Sequence, residues 1–211
     1  MLDLNRIVWL DVETGGTDPI AHQITQIAAI ATDCEPTLNV VGEEFERKIE
    51  LVDGKWEQDA LDMQAYSEGA WAEDAIPIYP AMADLRQWCM PFRHERKSKK
   101  GRTYKVCHMA AFNGRFDADF VRATADRNDL WMPLTTWTGG VFDVLQLVKW
   151  FALLRGVEHK SYKLEDLCAE YGIPPFGAHD ALADVKAMIA LTRIIWRETA
   201  QLYLPAGEEK W

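Results

Sequence analysis

The sequence predicts an α/β fold in which a mixed central β-sheet is flanked by helices. Three observations carry this. Three strand-like segments separated by short turns fill the first 51 residues, helical and strand-like segments alternate after them, and no fixed-period repeat or low-complexity tract interrupts the pattern.

Arg6–Leu10 (RIVWL) is β-branched and aromatic and reads as a strand halted at Asp11. Gln23–Thr32 is a second apolar strand and Phe45–Leu51 a third, with alternating character. Short connections make these an antiparallel three-strand meander. Apolar residues at helical spacing then predict a helix over Pro80–Trp88, followed by a strand over Tyr104–Ala110 and a helix over Phe116–Ala125. Val144–Leu154 reads as a helix capped by Asp143, and Lys163–Tyr171 as one ended by Gly172 and the prolines at 174 and 175. Asp180–Leu202 is a long helix striped by Ala183, Ile189, Ile194 and Ile195. The later strands should join the sheet in parallel through right-handed crossovers. One domain over residues 1–204 is expected, with a short tail at 205–211.

With 48% apolar and 27% charged residues in 211, the chain has an ordinary globular composition and enough length to bury a core. The start lacks a basic region and a long apolar run, and no apolar stretch is long enough to span a bilayer. A cytoplasmic location without membrane attachment is the expectation. The four cysteines are scattered without metal-ligand spacing, so they read as reduced, mostly buried thiols and argue against structural zinc. Most of the nine tryptophans are expected in the core.

The formal charge of −10 disfavours extended binding to a polyanion. Two divalent ions in an acidic cluster would bring −10 to −6 and make that site locally attractive to phosphate. The segment Arg93–Arg102 (RHERKSKKGR) is strongly basic within this acidic chain. It fits a solvated, mobile loop, with an electrostatic guide for phosphates as the alternative.

Asp11-Val12-Glu13-Thr14-Gly15-Gly16 places two carboxylates two residues apart, on one side of a strand end. Such a pair repels unless a cation such as Mg²⁺ or Mn²⁺ holds it. Asn113-Gly114-Arg115-Phe116-Asp117 follows a strand and opens a helix, which puts a third carboxylate at a strand-to-helix junction. In His179-Asp180-Ala181-Leu182-Ala183-Asp184, Asp184 lies about one helical turn past His179. Taken singly, each stretch also fits a bland role: a polar turn, a helix-dipole partner, a cap.

As an ordered set they resemble the DEDDh branch of the DnaQ-like exonucleases, which includes polymerase proofreading subunits, RNase T and oligoribonuclease. The resemblance runs from about Arg6 to Leu191. Asp11-Val12-Glu13-Thr14-Gly15 is similar to the first motif, Asn113-x-x-Phe116-Asp117-x-x-Phe120 to the second, and His179-x-Ala181-x-x-Asp184 to the third. Phe142–Leu145 and the leucine-rich Lys163–Cys168 resemble stretches between the second and third. Gln26 stands where the family often has Glu, and Phe112 where a His commonly precedes the Asn. Neither is a catalytic position, so these departures bear on substrate preference.

The resemblance implies an RNase H-like fold and 3′→5′ hydrolysis of single-stranded DNA or RNA ends to nucleoside 5′-monophosphates with two Mg²⁺ or Mn²⁺ ions. Asp11, Glu13 and Asp184 would hold the ion at the attacking water, Asp11 and Asp117 the ion at the leaving 3′-oxygen, and His179 would take the water proton. Thr14 and Gly15 would contact the terminal nucleotide, with Asn113 and Phe116 as further candidates. An exoribonuclease or oligoribonuclease-like enzyme, a polymerase-associated proofreading subunit and a silent nucleic-acid-binding module are the rival readings. The brevity of the tail favours a free-standing enzyme over the editing subunit. The sequence neither forces nor forbids a homodimer or partnership with replication or repair proteins.

Overall fold

The first strand carries the site, and it is longer than its apolar run. In this computed structural model, which describes residues 6–64, 68–137, 140–177 and 179–203, β1 spans Ile7–Thr14. It does not halt at Asp11. Its neighbour β2 (Ile24–Thr32) pairs antiparallel with it from Ile7↔Thr32 to Thr14↔Ile24, so the ladder continues past the last apolar residue of the sequence motif. Every residue of β2 is buried, as expected of a strand covered on both faces. The third strand of the meander, β3 (Phe45–Lys48), is shorter than expected: past Lys48 the chain keeps the Ile49 N–H on the Thr25 carbonyl of β2 while Ile49 also bridges Ile76.

β4 (His94–Lys97) and β5 (Thr103–Val106) form a separate antiparallel ribbon, and β6 (His108–Ala111) and β7 (Phe142–Asp143) complete the main sheet. The main sheet has the order β3-β2-β1-β6-β7, with β6 parallel to β1 and β7 parallel to β6. The meander and the parallel strands are thus as predicted. The segment Tyr104–Ala110 is not one strand: Cys107 gives its N–H to Pro133 and its carbonyl to Thr135, which breaks the run between ribbon and sheet. Nor is Arg93–Arg102 a loop throughout, since most of it builds β4 and the turn after it.

Helices cover both faces. α1 (Gln58–Met63), α2 (Glu68–Asp74) and α3 (Ile78–Cys89) follow β3, and α4 (Arg115–Arg127) follows β6. α5 (Val144–Arg155), α6 (Leu164–Glu170) and α7 (Ala181–Tyr203) follow β7. Val8, Leu10 and Val12 of β1 pack with Met82 and Leu85 of α3 and Val121 of α4. Trp9 faces the other way, into a core with Val148 of α5, Leu167 of α6 and Met188 of α7. Alternation along β1 therefore sends Asp11 and Glu13 to the α7 side.

Two helix ends follow their sequence signals. Asp143 caps α5 by accepting from the amides of Leu145 and Gln146. Gly172 (φ +68°) ends α6, with Ile173 N–H on the Cys168 carbonyl and Gly172 N–H on that of Ala169. The short α1 escaped prediction because no side chain caps its start and no glycine closes it. Cys89, Cys107 and Cys168 are buried thiols, as expected. The tryptophans are not: among the described residues Trp9 and Trp71 are buried, whereas Trp131, Trp137, Trp150 and Trp196 are exposed. The segment 205–211 lies outside the described residues. Among the described residues, no helix is long and apolar enough to cross a membrane.

Candidate active site

β6 pairs with β1 only as far as Trp9↔Ala110, after which its chain turns into α4. That divergence opens a crevice at the C-terminal ends of the parallel strands, where open α/β sheets hold their ligands. Beyond it the edge of β1 has no strand partner on that side among the described residues, and Asp117 fills the gap. Its Oδ1 accepts the Val12 N–H at 3.1 Å, which ties the first turn of α4 to β1.

Asp11 and Glu13 point into the crevice from β1, and Asp184 meets them from α7. Their carboxylate oxygens lie within 4.8 Å of one another, a spacing that one cation can bridge. Asp180 starts α7 by accepting the Ala183 N–H at 2.9 Å, which aims Asp184 one turn further in. His179 precedes it in the left-handed region (φ +56°), exposed at the mouth of the crevice.

The electrostatics of this cluster are costly without counter-charge. Burial lifts Asp11 well above the usual carboxylate range, and Asp117, Glu13, Asp184 and Asp180 push it further. Glu13 rises to about 7, chiefly through burial and then through Asp184 and Asp180. Burial carries Asp117 to about 8 against the opposing Val12 hydrogen bond. Asp184 stands at about 6, where burial outweighs the relief from nearby His179. Crowded hard oxygen donors at this spacing suit a divalent cation.

Next to the carboxylates lies a cavity of about 170 Å³ lined by Glu13, Thr14, Phe116 and His179 together with Met63 and Gln64. Thr14 is buried; its hydroxyl donates to the Gly16 carbonyl and its own carbonyl accepts from Gln64 Nε2 at 2.6 Å. Gly15 does not reach this cavity. Its N–H is taken by Gln23, its carbonyl by Glu57, and a Cβ there would meet the Lys55 carbonyl at 2.7 Å, so it serves close packing of two backbones. Asn113 is exposed at φ +57°, a conformation that Asn tolerates better than most residues, and its carbonyl accepts the Phe116 N–H.

The structure therefore gathers Asp11, Glu13, Asp117, Asp184 and His179 at one crevice, with Thr14 and Phe116 beside them. Sequence reading missed Met63 and Gln64, which belong to the unread α1 end, and Asp180. Gln26 turns out to brace this region: buried, it donates to Glu46 (2.8 Å) and Asp180 (3.3 Å) and accepts from the Ala181 amide (3.3 Å). A Glu there would lack the amide donors that these two carboxylates accept. A second, larger cleft of about 710 Å³ adjoins His179 and Asp184, walled by Leu164, Cys168, Ile173 and Phe176.

The fold, a mixed five-stranded sheet flanked by helices with a carboxylate crevice at its strand ends, is similar to that of solved exonucleases. Residues 98–192 match the exonuclease family described as RNase T, a segment that includes Asp117, His179 and Asp184. Among solved structures, the chain is similar to exonuclease I of E. coli in complex with a dT13 oligonucleotide (TM-score 0.74, 24% identity, 94% of this chain and 42% of that one). A moderately thermophilic exonuclease I from Methylocaldum szegediense is similar too (TM-score 0.72, 27% identity, 93% and 41%). So is a zinc-bound form of the E. coli enzyme with single-stranded DNA (TM-score 0.73, 23% identity, 94% and 42%). The chain thus spans about two fifths of the length of these structures. No curated protein matches the sequence.

Proposed function

We propose that the chain is a metal-dependent 3′→5′ exonuclease that hydrolyses terminal phosphodiester bonds of single-stranded DNA to nucleoside 5′-monophosphates, through one domain at residues 1–204. The observation that carries this reading is the convergence of Asp11, Glu13 and Asp184 within 4.8 Å beside a cavity containing His179.

Asp11, Glu13 and Asp184 would hold one divalent ion, and Asp11 with Asp117 a second. When bound, Mg²⁺ or Mn²⁺ supplies a water of lowered pKa and charge compensation at the phosphoryl and leaving oxygens. Phe116 offers an apolar wall to the terminal nucleotide in the cavity beside Glu13. His179 reaches the crevice mouth from an exposed backbone position, where its imidazole can accept the proton of the attacking water and pass it to solvent. Asp117, fixed by the Val12 amide, ties α4 to β1 and would present its carboxylate to the second ion from there. DNA is favoured over RNA as substrate because the similar solved proteins hold DNA oligonucleotides.

The test is degradation of 5′-labelled single-stranded DNA and matched RNA with Mg²⁺, Mn²⁺ or EDTA. The expected result is a ladder that shortens from the 3′ end, faster on DNA and absent in EDTA. No shortening of either strand by folded protein supplied with metal would refute the proposal.

A further inference from the structure

The ribbon β4–β5 concentrates charge of the sign that the rest of the protein lacks. Between Arg93 and Lys105 lie seven of the 23 basic residues and one of the 33 acidic ones. Elsewhere Arg47, Lys48, Arg115, Arg122, Arg155, Lys163 and Lys186 each face a carboxylate. Among the described residues, none of the seven ribbon cations does. Among the described residues Glu95, opposite Lys105 in the register, is the one carboxylate on the ribbon itself, so the ribbon displays a net positive charge on an ordered element. Gly101 N–H on the Ser98 carbonyl and Gly101 at φ +78° close a tight hairpin turn that holds Lys99 and Lys100 at its tip. Ser98 and Arg102 lock its base through Arg102 N–H to Ser98 Oγ and Ser98 N–H to the Arg102 carbonyl.

Register decides what shares a face. Arg96 lies opposite Tyr104, so both project to one side, whereas Lys97, Thr103 and Lys105 project to the other. On the first side the Arg96 guanidinium stands 6.0 Å from the ring centre of Trp137. Tyr104 and Trp137 are 36% and 41% exposed, which leaves aromatic surface uncovered beside cations. Gly140 supports Trp137 from below: its N–H bonds the Trp137 carbonyl, and a Cβ there would meet the indole nitrogen at 2.9 Å. Two exposed rings around one cation, with further cations at the hairpin tip and on the opposite face, are the composition of a surface that grips unpaired nucleotides, phosphates on the cations and bases on the rings.

The Trp137 end of this surface adjoins the first turn of α4. Trp137 lines a small cavity with Arg115, Ala118 and Asp143, and the Asp143 charge is felt at Asp117. Phe116, one residue before Asp117, lines the cavity on the opposite side, with Glu13 and His179. The first turn of α4 thus separates the two pockets, with Asp117 between them. A strand whose 3′ nucleotide sat beside Phe116 and whose scissile phosphate sat at the carboxylates could leave toward Trp137 and the ribbon.

We propose that the β4–β5 ribbon together with Trp137 is a second binding subsite for single-stranded nucleic acid, holding nucleotides on the 5′ side of the scissile bond. It rests on the exonuclease reading only for the polarity of the strand. The subsite makes the enzyme sensitive to substrate length: long strands reach the ribbon, and a mononucleotide ester does not.

The test compares the wild type with K99E/K100E/R102E, an exposed triple variant remote from the carboxylates, and with Trp137→Ala and Trp137→Phe. Anisotropy of a labelled oligonucleotide of about 15 nucleotides, within the site sizes of single-strand-binding surfaces, is read in EDTA so that binding is separated from cleavage. Hydrolysis of the p-nitrophenyl ester of thymidine 5′-monophosphate with Mn²⁺ reads the carboxylate site alone. The triple variant should bind about tenfold more weakly at 0.1 M salt, and its slope of log affinity against log salt should fall by about 2, for three lost phosphate contacts. Trp137→Ala should weaken binding about fivefold or more, with recovery in Trp137→Phe. Ester hydrolysis should change less than about twofold in all three, since none of these residues touches the carboxylates. Unchanged oligonucleotide affinity and salt slope in the triple variant would overturn the inference, as would equal losses on oligonucleotide and ester. Unchanged oligonucleotide affinity with loss of an acidic peptide would overturn it in favour of a protein partner. A wild type that binds through the ribbon yet cleaves nothing would sink the exonuclease reading and leave the subsite standing.

Discussion

Asp11 and Glu13, Asp117, and Asp184 come from β1, α4 and α7, and they meet only when the sheet and both of its helical layers are in place. The β4–β5 ribbon is made from one continuous stretch, closed by its own turn, and lies apart from the main sheet. The first region buries like charges against one another, and the second exposes unpaired charges of the opposite sign. Burial raises the energetic stake of each acidic group and fixes its position, which is what hydrolysis at one phosphorus atom requires. Exposure keeps each cation inexpensive and adaptable, which suits a grip on a flexible strand. On the proposed reading the acidic pocket takes its counter-charge from a bound cation, and the basic ribbon takes its own from the nucleic acid.

If this division holds, the largest effects arise in the pocket. Asp11→Ala and Asp184→Ala should each lower kcat on labelled single-stranded DNA by about a thousandfold or more, with circular dichroism unchanged. EDTA should do the same to the wild type. His179→Asn, chosen because Asn tolerates the left-handed backbone at that position, should cost about a hundredfold or more in kcat with little change in KM. Substitutions in the ribbon that matched these losses on a mononucleotide ester would erase the distinction between the regions.

A smaller effect concerns stability in the absence of metal. Asp117 titrates near 8 in the folded chain against an ordinary value of 3.8. The folded state keeps a proton that the unfolded chain releases, so stability is fully present below the ordinary value and is lost as pH rises through about 8. Asp117→Asn retains an acceptor for the Val12 amide and removes the titration. In EDTA above pH 8 it should raise the melting temperature by about 2–8 °C, corresponding to about 1–2 kcal/mol, while abolishing hydrolysis. A lower melting temperature would show that the carboxylate is stabilising without an ion. Smaller still on activity, Gln26→Ala should destabilise the protein by about 1–3 kcal/mol in urea unfolding, because Glu46, Asp180 and the Ala181 amide lose a shared partner. Its kcat should fall less than about tenfold.

Much of the pocket was legible in the sequence because each of its carboxylates sits beside a local signal: a strand, a strand-to-helix turn, a helix start. The ordering of the motifs supplied what spacing alone did not. The extent of β1 was not legible, since its last four residues are held by pairing with β2 rather than by their own propensity. α1 hid for a related reason: a six-residue helix without a cap leaves no punctuation to read, and it brought Met63 and Gln64 to the cavity unseen. The ribbon was read as charge before it was read as structure. Its second strand was caught in the predicted strand over Tyr104–Ala110, whereas β4, His94-Glu95-Arg96-Lys97, carries no apolar residue and so gave no strand signal. Exposed tryptophans such as Trp137 followed from tertiary placement that composition does not encode.

The central claim is that Asp11, Glu13, Asp117 and Asp184 form one ion-dependent catalytic centre. Titration of Mn²⁺ into the ion-free protein at pH 8, followed by calorimetry on wild type and Asp11→Ala and paired with hydrolysis of single-stranded DNA, tests it most directly. The account predicts binding of two ions by the wild type, loss of both sites in the variant, and loss of hydrolysis with them. Undiminished Mn²⁺ binding by Asp11→Ala, or hydrolysis that persists without bound ions, would contradict it.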